Sequence, residues 1–137
     1  MSKGATLSIK LTAEEQRDLK DLSRLKRTQA PELGAQFITE GLRLARFPGI
    51  EFRNTSLGRT AYVKNSRLAI WLLRELIRQV GSVKRVARLV GRSAVQLESA
   101  LLYAKAFPQE LEAAARLNKR SPASLNKIFP RHSVFRA

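Results

Sequence analysis

The sequence has no cysteine and only one histidine, one methionine and one tryptophan among its 137 residues. Without cysteine it has no disulfide framework and no thiolate-ligated zinc or iron-sulfur site, and this composition fits a reducing cytoplasm. Apolar runs, such as the one at residues 68–73, are far shorter than a membrane span, and no continuous apolar signal core lies near the N-terminus. We therefore expect a soluble cytoplasmic protein that does not bind a membrane.

Catalytic motifs are also missing. No histidine or acid cluster has the spacing of metal ligands, and no glycine-rich phosphate loop is present. The serines suit helix caps, and the only histidine, His132, lies in the C-terminal tail beside Ser133, where we interpret it as an ordinary tail residue. We expect no catalytic residue, no metal site, no cofactor and no enzymatic activity.

Acidic residues are scarce relative to basic ones. Twenty-six lysines and arginines face eleven aspartates and glutamates, for a net charge of +15. Residues 53–92 hold ten bases and one acid, and residues 116–137 hold six bases and no acid. Such a balance attracts polyanions by counterion release, which favours double-stranded DNA as the partner. The alternative is a basic surface that is simply solvated.

Polar and apolar residues alternate strictly over residues 5–11, which predicts a β-strand. One face would carry Leu7, Ile9 and Leu11, and the other Thr6, Ser8 and Lys10. Thr12 and Glu15 have the spacing of a capping box, which predicts a helix from about Ala13 to Arg27. A second helix is expected from Pro31, in its first turn, to Arg46.

A strand and two helices in under 50 residues cannot bury their own apolar face. A twofold homodimer in which two copies of the strand pair antiparallel would solve this, and the alternative is that the strand joins a sheet elsewhere in the same chain. Residues 5–46 resemble the ribbon-helix-helix family of small prokaryotic repressors. The resemblance implies that Thr6, Ser8 and Lys10 read base edges in the major groove and that Thr28 grips a phosphate. The turn departs from the family pattern, since it has Pro31 and no glycine at its apex.

The second half of the sequence predicts a hairpin followed by short helices. Strand-like residues 50–53 and 60–63 flank the turn-rich residues 54–58. We expect helix caps at Ser66, Ser82 and Ser93, helix ends at Gly81 and Gly91, and a last helix over residues 109–117.

The two short helices joined at Gly91 have the spacing of a helix-turn-helix. If this pair docks on DNA, the second helix would place three side chains in the groove while the first contacts phosphates. The groove set is Arg92, Ser93 and Gln96, and the phosphate set is Lys84, Arg85 and Arg88. The alternative is that the pair never touches DNA, because such pairs occur in many folds and residues 93–115 are net negative.

Residues 47–115 look like a small domain of VapB-type antitoxins and of a related family of short uncharacterised bacterial proteins. The resemblance lies in the Gly58-Arg59 step, the central Trp71 and the run at residues 100–103. It implies a hairpin and an HTH-like helical domain.

Residues 118–137 contain no acid and cannot build a core, which is typical of a tail. The antitoxin resemblance implies that this tail inserts an arginine into the acidic, magnesium-binding site of a PIN-domain ribonuclease toxin. The partner-binding residues would be Ile128, Phe129, Arg131, Phe135 and Arg136. The alternative is a disordered basic tail that binds nucleic acid.

We therefore expect a mainly α protein with three parts. Residues 1–48 would form the ribbon-helix-helix dimer, residues 49–117 the hairpin and HTH-like domain, and residues 118–137 a flexible basic tail. The expected function is that of an antitoxin-like DNA-binding autoregulator. The alternative is a stand-alone nucleic-acid-binding or architectural protein without a toxin.

Overall fold

The computed structural model describes residues 4–118, which are mainly helical and include one two-stranded antiparallel sheet. The elements in chain order are α1 (Ala13–Leu25), α2 (Ala30–Arg46), β1 (Ile50–Thr55), β2 (Gly58–Val63), α3 (Ile70–Val80), α4 (Val83–Val90), α5 (Ala94–Ala106) and α6 (Pro108–Asn118). The described residues form two compact units, 4–42 and 43–118, so the division falls inside α2. No helix within residues 4–118 has the length and apolarity needed to cross a bilayer.

The start of α1 confirms the predicted capping box. The backbone N–H of Glu15 donates to Thr12 Oγ1 at 3.1 Å, and the backbone N–H of Thr12 donates to Glu15 Oε1 at 2.9 Å. The bond from the Thr12 backbone lowers the pKa of the Glu15 carboxyl. The helix ends at Leu25, slightly before the predicted Arg27, because Arg27 adopts a left-handed conformation with φ of 52°.

Residues 5–11, which we predicted to be a strand, form neither strand nor helix in the single chain. A strand needs a neighbour to accept and donate its backbone hydrogen bonds. Within residues 4–118 the sheet contains only β1 and β2, so the alternative in which residues 5–11 join a sheet of the same chain is not observed there.

The hairpin turn is shorter than predicted. β1 and β2 pair from Ile50 opposite Val63 to Thr55 opposite Gly58, which leaves two turn residues where the sequence indicated five. Thr55 Oγ1 tightens the turn by donating to the Gly58 carbonyl at 2.7 Å and accepting from the Leu57 N–H at 3.2 Å. Gly58 has φ of 110°, which its missing side chain permits.

The predicted cap at Ser66 is wrong. α3 begins at Ile70, and its N-cap residue Ala69 makes no side-chain hydrogen bond. The Ser66 hydroxyl is used in the preceding turn, where it donates to the Val63 carbonyl at 2.7 Å and accepts from the Leu68 N–H at 3.0 Å. This buried turn delays the helix by about one turn.

The caps of α4 and α5 are confirmed. Ser82 and Ser93 accept hydrogen bonds from the backbone N–H three residues later, both at 3.1 Å. Gly81 and Gly91 end α3 and α4 in the left-handed region, with φ of 98° and 70°.

The second unit has a continuous core to which the hairpin and α3 to α6 all contribute. Trp71 and Tyr103 are buried in it. The chain enters the core at Gly49, where α5 passes very closely. A Cβ atom at this position would lie 2.4 Å from Ser99 Oγ and 2.9 Å from Ser99 Cβ.

Candidate nucleic-acid interface

The first unit exposes a large share of its apolar side chains. Leu7 is 77% exposed and Leu25 is 80% exposed, while Leu33 is the only apolar residue among residues 4–42 that is fully buried. The large exposed apolar side chains of this unit are Leu7, Ile9, Leu11, Leu22, Leu25, Phe37, Ile38 and Leu42. Contiguous apolar surface on this scale is typical of an interaction site.

Six of these eight side chains, all except Leu25 and Leu42, line an open groove of about 690 Å³. Leu7, Ile9 and Leu11 contribute from the N-terminal segment, Leu19 and Leu22 from α1, and Pro31, Phe37 and Ile38 from α2. We call this surface the apolar groove. The N-terminal segment is therefore already in position to present its apolar set to whatever covers the groove.

The polar set of the N-terminal segment is exposed. Thr6, Ser8 and Lys10 alternate in sequence with the apolar set, and each is open to solvent. The backbone of residues 5–11 makes no hydrogen bond within residues 4–118. Both the side chains and the backbone of this segment are thus available to form an intermolecular contact.

Thr28 lies between α1 and α2 and is half-buried. Its N–H donates to the Ser23 carbonyl at 2.9 Å, and its hydroxyl donates to Glu32 Oε2 at 3.2 Å. The hydroxyl predicted to grip a phosphate therefore faces a carboxylate in the free chain.

The three basic residues predicted to contact phosphates from α4 are all exposed. Lys84, Arg85 and Arg88 form no ion pair within the described residues, and α4 contains no acid. Arg85 Nη1 lies 3.5 Å from the Val80 carbonyl, a weak contact at most. This helix presents three uncompensated positive charges to solvent.

The residues predicted to read bases from α5 are engaged within the chain. Arg92 Nη2 donates to the Asn65 carbonyl at 2.6 Å, and Gln96 Nε2 donates to the Lys64 carbonyl at 3.0 Å. The Ser93 hydroxyl caps α5. These three side chains fasten the start of α5 and the turn at residues 64–65, so base reading by them would require these bonds to break.

The outer surface of α5 does not resemble a DNA-reading surface either. Val95 is 76% exposed, Leu102 is 55% exposed, and Glu98 is an exposed acid on the same helix. Of these two helices, α4 therefore offers the more basic exposed surface.

A network of three polar side chains joins the end of α2 to α5 and α6, and no pattern in the sequence predicts it. Arg43 Nη1 donates to the Tyr103 hydroxyl at 2.7 Å and to Glu110 Oε1 at 2.6 Å, and the Tyr103 hydroxyl donates to Glu110 Oε2. Burial raises the pKa of Tyr103, and the carboxylate of Glu110 raises it further. The Arg43 guanidinium also lies 4.1 Å from the centroid of the Phe107 ring. The network is structural, because each of its members is already paired.

A second site that sequence reasoning missed is a polar pocket of about 500 Å³ between the turn at residues 65–68 and the end of α4. Arg53, Arg67 and Arg92 line it, and of these only Arg92 was singled out from the sequence. The three arginines lie on separate segments of the sequence and are brought together only by the tertiary fold.

The predicted partner-binding residues Ile128, Phe129, Arg131, Phe135 and Arg136 lie outside the described residues. Within residues 4–118 no group of three or more acids and histidines is placed to hold a metal ion. Comparison of the chain with protein-family models, with curated proteins and with solved structures found no match.

Proposed function

We propose that this chain is a dimeric DNA-binding regulator of the ribbon-helix-helix type. In the dimer, residues 5–11 of two copies pair as an antiparallel ribbon, and α1 and α2 of both copies cover its apolar side. The observation that carries the proposal is the apolar groove of the first unit, which the N-terminal segment lines with its apolar set.

A second copy is the occupant that fits this groove best. It supplies an identical apolar set, and it supplies the strand that the unpaired backbone of residues 5–11 needs. Pairing the two segments buries Leu7, Ile9 and Leu11 of both copies on one side of the ribbon. The other side then carries six polar side chains on a two-stranded ribbon, which the major groove can admit.

In this proposal the second unit adds affinity. Lys84, Arg85 and Arg88 of α4 contact phosphates and fix the protein on the duplex, whereas Thr6, Ser8 and Lys10 read the bases. Four further predicted DNA contacts would require internal hydrogen bonds to be exchanged for bonds to DNA. These are the contacts of Thr28, Arg92, Ser93 and Gln96.

We further propose that the regulated gene is its own operon and that residues 118–137 neutralise a PIN-domain ribonuclease toxin. Support for this part comes from the likeness of residues 47–115 to VapB-type antitoxins and from the acid-free composition of the tail. Arg131 and Arg136 would pair with the carboxylates of the toxin, and Ile128, Phe129 and Phe135 would anchor the tail.

The dimer is tested by two substitutions that add the same charge to opposite faces of the ribbon. We expect sedimentation equilibrium to give a dimer for the full chain and for Thr6→Lys, and a monomer for Leu7→Lys, because only the latter places a charge in the apolar interface. A wild-type chain that stays monomeric at every concentration, or a dimeric Leu7→Lys variant, would refute the ribbon.

Base reading is tested with a labelled duplex from the upstream region of the gene and a scrambled duplex of the same composition. A good base contact contributes about 1–3 kcal/mol of discrimination between the right and the wrong base. Lys10→Ala should therefore lower the ratio of the affinities for the upstream and scrambled duplexes by roughly tenfold. Lys20→Ala, which removes an exposed lysine of α1, is the control and should leave the preference unchanged. Equal, steeply salt-dependent binding of wild type to both duplexes would favour the stand-alone architectural protein.

The toxin half of the proposal needs its own experiment. The chain truncated after Asn118 should still bind the upstream duplex but should no longer inhibit the ribonuclease encoded beside the gene. Inhibition by the truncated chain would rule out neutralisation by the tail, while leaving the DNA-binding proposal intact.

A further inference from the structure

We propose that the pocket formed by Arg53, Arg67 and Arg92 binds a phosphate group. Arg53 lies in β1, Arg67 in the turn before α3, and Arg92 directly after Gly91, the residue that caps the end of α4. Asn65 and Ser66 complete its polar wall, and Val90 contributes an apolar side.

Hydrogen bonds fix the backbone around the pocket, and therefore fix the Cα positions of Arg67 and Arg92. Ser66 closes the turn at residues 63–68 with two hydrogen bonds, and the Val63 N–H donates to the Leu68 carbonyl at 2.9 Å. On the opposite side, the left-handed Gly91 lets the Arg92 N–H donate back to the Ala87 carbonyl at 3.0 Å. A preformed wall lowers the entropy cost of binding a ligand.

Positive charge in the pocket is only partly compensated. Glu51 Oε1 accepts from Arg53 Nη2 and from the Asn65 N–H, both at 2.6 Å, so this carboxylate is already used to hold Arg53 and the turn. Arg67 forms no hydrogen bond or ion pair within the described residues. Arg92 gives one N–H to the Asn65 carbonyl and pairs with no carboxylate there.

This arrangement suits a phosphate better than a carboxylate. A guanidinium carries five N–H donors in a planar fork, so Arg67 and the remaining donors of Arg92 can each bind two oxygens of one anion. Inorganic phosphate has four oxygens and can accept from two such forks at once, whereas a carboxylate has only two oxygens. A backbone phosphodiester has two free oxygens, and each of these would accept from one fork. The phosphate can be free in solution or part of a nucleic-acid backbone, and the second source rests on the function proposed above.

The first experiment titrates the full chain with inorganic phosphate and follows the side-chain N–H signals of its arginines by NMR. We expect saturable shifts at Arg67 and Arg92 in the wild type and in Arg116→Gln, and none at Arg92 in Arg67→Gln. Arg116 is an exposed arginine of α6 outside the pocket, so its substitution removes the same charge without touching the site. This result would mean that the pocket accepts phosphate by itself.

The second experiment uses a scrambled duplex over about 50 to 200 mM salt. If the pocket holds a backbone phosphate, Arg67→Gln lowers the slope of log affinity against log salt by about one for each bound copy of the chain relative to Arg116→Gln, the change expected for one lost phosphate contact per copy. In that case inorganic phosphate alone gives no saturable shift. Both results support a phosphate pocket and differ only in the source of the anion.

The pocket proposal is overturned if inorganic phosphate gives no saturable shift and Arg67→Gln has the same salt slope as Arg116→Gln. This failure is separable from failure of the proposed function. The chain can prefer the upstream duplex through Lys10 even if the pocket binds no phosphate. Conversely, inorganic phosphate can saturate the pocket even if the chain binds the upstream and scrambled duplexes equally.

Discussion

The Arg43, Tyr103 and Glu110 network makes Tyr103→Phe an informative substitution. It removes one hydroxyl from a fully buried ring and leaves the ring itself in contact with Phe47, Phe52 and Phe107. The hydroxyl accepts from a guanidinium and donates to a carboxylate, and a hydrogen bond to a charged group contributes about 1.5–3 kcal/mol.

The expected loss is smaller than the sum of two such bonds. Arg43 and Glu110 remain paired with each other at 2.6 Å after the hydroxyl is gone, and the Glu110 side chain is 42% exposed, so water can replace part of what is lost. We therefore expect a loss of about 1–2 kcal/mol in the free energy of unfolding.

Urea unfolding followed by tryptophan fluorescence measures this loss directly. Trp71 is the only tryptophan and lies in the core of the second unit, so its signal reports that unit. With a denaturant slope on the order of 1–3 kcal/mol per molar urea, the midpoint should fall by about 0.3–2 M. Tyr62→Phe is the control, because the Tyr62 hydroxyl makes no hydrogen bond within residues 4–118, and its midpoint should not move. Equal midpoints for the two variants would refute a stabilising role for the network.

Three further results are expected. First, because the pKa of Tyr103 is raised above the ordinary value of about 10, the folded chain keeps the phenol protonated at that pH. The stability that this adds is complete below pH 10 and is lost as the pH rises further. The Tyr62→Phe variant, in which Tyr103 is the sole tyrosine, should therefore show no phenolate absorbance near pH 10 until it unfolds. Second, Gly49→Ala should cost about 1–3 kcal/mol because its Cβ meets Ser99, and adding Ser99→Gly should recover part of that loss in the same urea assay. Third, Ser82→Ala should cost about 1 kcal/mol through loss of the α4 cap, measured as a lower thermal midpoint.

Local signals in the sequence predicted the helices well. The capping box at Thr12 and the caps at Ser82 and Ser93 act within three or four residues, and they lie where the pattern indicated. The prediction of a helix cap at Ser66 was wrong because a serine hydroxyl that can cap a helix can also close a turn. Its partners are Val63 and Leu68, and the sequence does not show which of the two uses the fold selects.

Features that depend on distant pairing could not be predicted. Arg43 and Tyr103 are 60 residues apart, and Arg92 and Asn65 are 27 residues apart. No periodicity connects such positions, so neither the network nor the arginine pocket has a local signature. The same limit affected Arg92 and Gln96, whose predicted role in base reading took no account of the carbonyls at residues 64 and 65.

The apolar contrast between the two units has a consequence for how the protein responds to its own abundance. The second unit carries its own core, whereas the first unit, in the proposed dimer, completes its core only when two chains meet. If the proposed dimer is correct, a low concentration of the chain would leave the N-terminal segment open to proteolysis and the operator unbound. Repression of the operon and resistance of the chain to proteolysis would then both increase with the concentration of the chain. The first unit would in this way make both properties depend on the amount of protein present.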